Sequence, residues 1–148
     1  MKKSKVIITS LLWASVVMWM GVIFCLSAQA SDESAQLSGG LLAKISELFG
    51  AIISEHMLRK LAHMLEYSLL GALCVTAFRA SSADYSPVLA FLLCVFYSVT
   101  DETHQLFVPG RSGSVYDMLV DSSGALIGIA VTCFTVYLFK RFKRTNFY

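Results

Sequence analysis

Charge is what this sequence has least of. Asp, Glu, Lys and Arg make up 15% of its 148 residues, against about 25% in a soluble globular domain. With 56% hydrophobic residues beside it, that scarcity excludes a water-soluble fold. Proline is nearly missing too, at two residues. No linker, repeat or low-complexity run divides the chain, which argues for a single domain over residues 1–148. Four cysteines, Cys25, Cys74, Cys94 and Cys133, fall one to each apolar stretch. None pairs at a zinc or redox spacing, so they read as small apolar fillers. The net charge of +2 reflects basic tails, and no nucleic-acid partner is expected.

What the chain has in abundance is apolar length. A helix needs about 20 mostly apolar residues to cross a bilayer, and residues 6–26, 61–78, 87–107 and 115–139 qualify. The expected fold is all-α, an integral membrane four-helix bundle. Residues 31–59 are too polar to cross, yet Leu41, Leu42, Ile45, Leu48, Phe49, Ile52 and Ile53 recur at helical spacing. That pattern predicts an extra amphipathic helix, either lying on the outer surface or packed over the bundle as a lid. The first span has a rival reading as a signal peptide, because Lys2, Lys3 and Lys5 precede it and Ala28-Gln29-Ala30 has the small-x-small pattern of a cleavage site. Its apolar run is longer than the roughly 7–15 residues of a secretory core, which favours a retained helix.

Orientation follows from the cationic residues, which favour the cytoplasmic side. With the N-terminus inside, Lys2, Lys3, Lys5, Arg79, Lys140, Arg141, Lys143 and Arg144 are cytoplasmic, leaving Lys44, Arg59, Lys60 and Arg111 of the 12 outside. Both termini are then expected in the cytoplasm of a multi-pass protein, with membrane lipids as its surroundings.

The last three spans reach full length only by admitting polar residues. Ionisable groups within a membrane are costly and mark function by default. In the second span Lys60, His63 and Tyr67 share a helical face, with Glu66 one turn from His63. The third begins Ser86-Pro87, an N-cap with a first-turn proline, and ends with Asp101, Glu102, His104 and Gln105. Pro109-Gly110-Arg111 opens a turn, and Ser114 with Asp117 resembles a capping box at the start of the fourth span. Asp121 lies four residues on, on the same face, where two carboxylates repel unless a cation such as Arg111, Lys60 or a metal ion intervenes. Gly124 and Gly128 have the small-xxx-small spacing of close helix packing.

The orientation brings all these groups to the outer ends of their helices. Carboxylates and histidine on bundle helices can ligate a divalent metal or supply a proton donor and acceptor. Lys60 and Arg111 suit a phosphate. An ion-pair network that only fixes helix packing is the structural alternative.

The runs DETHQLFVPGRSGSVYDMLVDSSGALIG and RKLAHMLEY, with LSAQA upstream, resemble the VanZ-like family of bacterial membrane proteins, whose name-giving member is linked to teicoplanin resistance. The family motif falls on Lys60, His63, Glu66, Tyr67, Asp101, Glu102, His104, Gln105, Pro109, Arg111, Asp117, Asp121 and Gly124. The resemblance implies a small multi-helix protein of the bacterial cell membrane. Combined with the residue chemistry, it leads to an outer-side pocket that binds or modifies an anionic envelope lipid or lipid-linked precursor. There Lys60, Tyr67, Gln105, Arg111, Asp117 and Asp121 would bind, and His63, Glu66, Asp101, Glu102 and His104 would do acid/base or metal work. A non-catalytic scaffold is the alternative. A transporter fits less well, since polar groups confined to one face trace no path across.

Overall fold

The computed structural model describes residues 2–28, 54–111 and 113–145. The amphipathic pattern at 41–53 lies outside the described residues. Within them the chain forms four helices and no strand: α1 Lys2–Ser27, α2 Glu55–Ala80, α3 Ser86–Gln105 and α4 Val115–Thr145.

By length and composition α1, α2 and α4 are able to cross a membrane. The third expected span is the weakest of the four. Helix α3 stops at Gln105 rather than running to 107, and Asp101 and Glu102 dilute its apolar content. Its outward stripe of Val88, Leu92, Phe96 and Val99 is nevertheless apolar and exposed, the surface expected of a helix facing lipid. Helix α2 starts well before the apolar run at 61, because Ser54 caps it: the Ser54 side chain accepts from the Met57 N–H at 3.2 Å. The predicted cap of α3 shifts by one residue. Tyr85, in the left-handed region at φ 56°, takes the N-cap position without a side-chain bond, and Ser86 is already helical, its hydroxyl donating to the Ala83 carbonyl at 2.6 Å.

Cross-helix contacts fix the directions. Near the start of α1, Lys5 Nζ donates to Ser82 Oγ and Trp13 Nε1 to Ser81 Oγ, both just beyond the end of α2. Farther along α1, Trp19 Nε1 donates to the Glu66 carbonyl at 2.9 Å, and Tyr97 of α3 donates to the Met20 carbonyl. Helices α1 and α3 therefore run one way, α2 and α4 the other.

Helix α2 touches all three of the others and supplies the largest share of the core, through Tyr67, Leu70, Cys74, Val75 and Ala77. Its contact with α4 is made by glycine. A Cβ on Gly124 would strike the Met64 carbonyl, one on Gly128 the Ser68 carbonyl, and one on Gly71 the backbone of Ala125. Lipid tails are as apolar as leucine, so association here rests on backbone-close packing. The spacing read from the sequence thus has its packing meaning.

The cysteines are free, and Cys74 and Cys94 are wholly buried in that core.

Candidate functional site

Antiparallel packing gathers at one end of the bundle the end of α1, the first three turns of α2, the end of α3, the turn at 106–111 and the start of α4. A cavity of about 100 Å³ opens there, room for several waters, since one needs roughly 10–15 Å³. Three cations, Arg59, Lys60 and Arg111, line it together with three carboxylates, Glu102, Asp117 and Asp121, and with His63 and Gln105.

At the mouth, Lys60 Nζ pairs with Asp117 Oδ1 at 2.5 Å and sits 4.1 Å from the Tyr116 ring centroid. This departs from the expected capping box, because the Asp117 carboxylate is engaged by α2. The reciprocal half of the box comes from α3: the Ser114 N–H donates to Glu102 Oε2 at 2.8 Å, while Ser114 Oγ accepts from the Tyr116 N–H at 3.1 Å. Glu102 is thus a cap supplied from a neighbouring helix, and the carboxylate gains from the positive end of the α4 dipole.

Deeper in, Asp101 and Asp121 are almost completely buried. Each is fixed through one oxygen by a serine, Ser27 Oγ donating to Asp101 Oδ2 and Ser98 Oγ to Asp121 Oδ2, both at 2.9 Å. Among the described residues their Oδ1 atoms have no hydrogen-bond partner, and neither do His63 Nδ1, Glu66 Oε2, the Tyr67 hydroxyl or Glu102 Oε1. His63 Nδ1 lies 3.6 Å from Asp121 Oδ1, beyond hydrogen-bond length. Ligand atoms of His63, Asp101 and Asp121 fall within 4.8 Å of one another. Gln105 Nε2 approaches Asp101 Oδ2 at 3.4 Å.

Arg111 sits in the turn, half-buried, with Nη2 3.5 Å from the Leu26 carbonyl. Burial lowers its guanidinium pKa from the ordinary value and Arg59 adds to that, while Asp101, Glu66 and Glu102 pull it back up. The group keeps its charge, since arginine does not deprotonate in proteins.

The matching family model is described as VanZ/LLP1 and spans residues 12–139, most of the chain. The chain belongs to the VanZ-like family. Nothing among the curated proteins or the solved structures matches it significantly. The VanZ-like match reaches all four helices and takes in every residue of the cavity.

Of the residues singled out from the sequence of this VanZ-like chain, Lys60, His63, Glu102, Gln105, Arg111, Asp117 and Asp121 line the cavity, and Asp101 stands against His63 and Asp121. His104 goes elsewhere. Its ring stacks on Phe24 of α1, centroids 4.3 Å apart, because one residue of helical rotation separates it from the face carrying Asp101 and Gln105. Tyr67 is buried in the core, its ring 6.2 Å from that of Tyr97. Glu66 is half-buried on α2 and is not part of the cavity lining. Sequence reasoning missed Arg59 as a lining residue, although it adjoins Lys60, and missed Ser27 and Ser98 as the carboxylates' partners. For Ser27 the LSAQA run was the available signal.

Proposed function

We propose that this VanZ-like protein binds or modifies the phosphate-bearing headgroup of an anionic envelope lipid or lipid-linked precursor, taken from the extracytoplasmic leaflet, and so lowers susceptibility to teicoplanin. One observation carries the reading: Arg59, Lys60 and Arg111 converge on a cavity at one end of a lipid-exposed bundle. Arginine presents a planar fork that matches phosphate oxygens, and lysine adds a compact point charge. The opposite end carries Lys3, Lys5, Arg79, Lys140, Arg141, Lys143 and Arg144, and the preference of cationic residues for the cytoplasm supports an extracytoplasmic cavity.

The acidic half of the lining fits a headgroup that carries hydroxyl or amine donors besides its phosphate. It equally fits a scaffold whose polar set holds helices together, a reading favoured by the Lys60–Asp117 and Glu102–Ser114 bonds.

The two readings separate in native mass spectrometry of the full chain with a polyprenyl phosphate or phosphatidylglycerol. Ligand binding predicts that Arg111→Ala and Lys60→Ala lower occupancy at least tenfold, and that Arg111→Ala raises teicoplanin susceptibility at matched membrane abundance. Unchanged occupancy in both variants excludes a phosphate pocket.

A further inference from the structure

We infer that His63, Asp101 and Asp121 form a site for one divalent transition-metal ion at the inner end of the cavity. This goes beyond headgroup binding and does not depend on it.

The three residues come from three different helices, α2, α3 and α4, and each offers a ligand atom within 4.8 Å of the other two. The two carboxylates are held in the same way. A buried serine fixes Oδ2 of each at 2.9 Å, and Oδ1 is left buried and unbonded among the described residues. Asp101 is 2% exposed and Asp121 0%. The buried Nδ1 of His63 is unbonded as well. A buried polar atom without a partner costs about 1–3 kcal/mol, more when charged. A metal ion held among the three residues would give such atoms a partner.

The His63–Asp121 contact is an ion pair that does not close to hydrogen-bond length. A charge-assisted bond closes to about 2.7–2.9 Å, whereas His63 Nδ1 and Asp121 Oδ1 stand 3.6 Å apart. Two ligands each ~2.1 Å from one tetrahedral ion are separated by roughly 3.4 Å, close to the observed gap. A dication also relieves the repulsion of two desolvated carboxylates. The serines then act as the outer partners that hold ligating carboxylates in orientation. One imidazole with two carboxylates is softer than the all-oxygen sets of Ca²⁺ and Mg²⁺ and suits Zn²⁺ or Mn²⁺. Three protein ligands leave a coordination position open, and His63 and Asp121 both border the cavity.

The test is metal retention by the full chain purified in detergent, stripped with chelator, loaded with Zn²⁺ or Mn²⁺, desalted and analysed by plasma mass spectrometry. The wild type should retain one ion per chain. Asp101→Asn and Asp121→Asn should weaken binding at least tenfold, the lower bound for losing even an outer partner of a metal ligand. His104→Gln, which alters an imidazole outside the trio, should bind as wild type. No retained metal, binding unchanged in both aspartate variants, or equal loss in His104→Gln overturns the site. Should the aspartate variants fail to fold, pulsed electron paramagnetic resonance of Mn²⁺ on the wild type decides: a directly bound nitrogen supports His63 as ligand, and oxygen-only coordination overturns it. Arg111→Ala should keep the ion, so failure of headgroup binding and failure of the metal site give different results.

Discussion

Lys60 and Asp117 face each other across the cavity mouth, ammonium to carboxylate at 2.5 Å, one from the second helix and one from the fourth. Both side chains are about a quarter exposed, 23% and 28%. A pair that wet contributes about 0–1 kcal/mol, so under the proposed function its main effect would be to hold a cation that an incoming anion would otherwise recruit.

Asp117→Asn should therefore leave thermal stability within about 1 kcal/mol of wild type while raising occupancy by a phosphate-bearing lipid. Parallel thermal unfolding and native mass spectrometry measure both. Lower occupancy would mean that Asp117 contacts the ligand rather than competing with it.

Gly128→Ala should destabilise the bundle, because its Cβ meets the Ser68 carbonyl, which is backbone and cannot swing aside. Overpacking of this kind costs about 1–3 kcal/mol. Gly21, where an added methyl group would meet nothing within 4 Å, is the matched control, and Gly21→Ala should be neutral or slightly stabilising. Thermal unfolding in detergent distinguishes the two.

Glu102→Ala should loosen the start of α4 by removing the acceptor for the Ser114 N–H. A hydrogen bond to a charged group contributes about 1.5–3 kcal/mol, and Glu102→Gln, which keeps an acceptor oxygen, should lose less. Amide hydrogen exchange over residues 113–118 should speed up in the order wild type, Gln, Ala. Equal rates in all three would show that the α4 cap does not depend on α3.

Ser98→Ala and Ser27→Ala leave the three proposed metal ligands in place but remove the serine bond to the far oxygen of each aspartate, which for Asp101 leaves only the longer Gln105 contact. Zn²⁺ affinity should fall roughly 10- to 100-fold without being abolished, as for other outer-sphere partners, and competition titration with a chelator reads the change.

Much of this arrangement was legible in the sequence. Apolar length marked the four helices, and the spacing of Lys60, His63, Asp117 and Asp121 put them on faces that meet. Gly124 and Gly128 declared a close helix contact. The rest depended on tertiary partners that periodicity does not encode. Ser54 lengthened α2 backwards, and the carboxylate completing the cap of α4 came from another helix, so Asp117 was free to meet Lys60. His104 stands three residues after Asp101, but a real helix face is narrow enough for Phe24 to claim it. Ser98 was invisible because a serine in an apolar run ordinarily bonds its own helix backbone, as Ser15 does with the Leu11 carbonyl.

The glycine contacts between α2 and α4 leave those two backbones no slack. Lys60, His63, Asp117 and Asp121 all ride on that locked pair, which behaves as a fixed jaw. Enlarging the chamber for a bulky guest would then fall to the opposing side, α3 with residues 106–111, which carries Arg111.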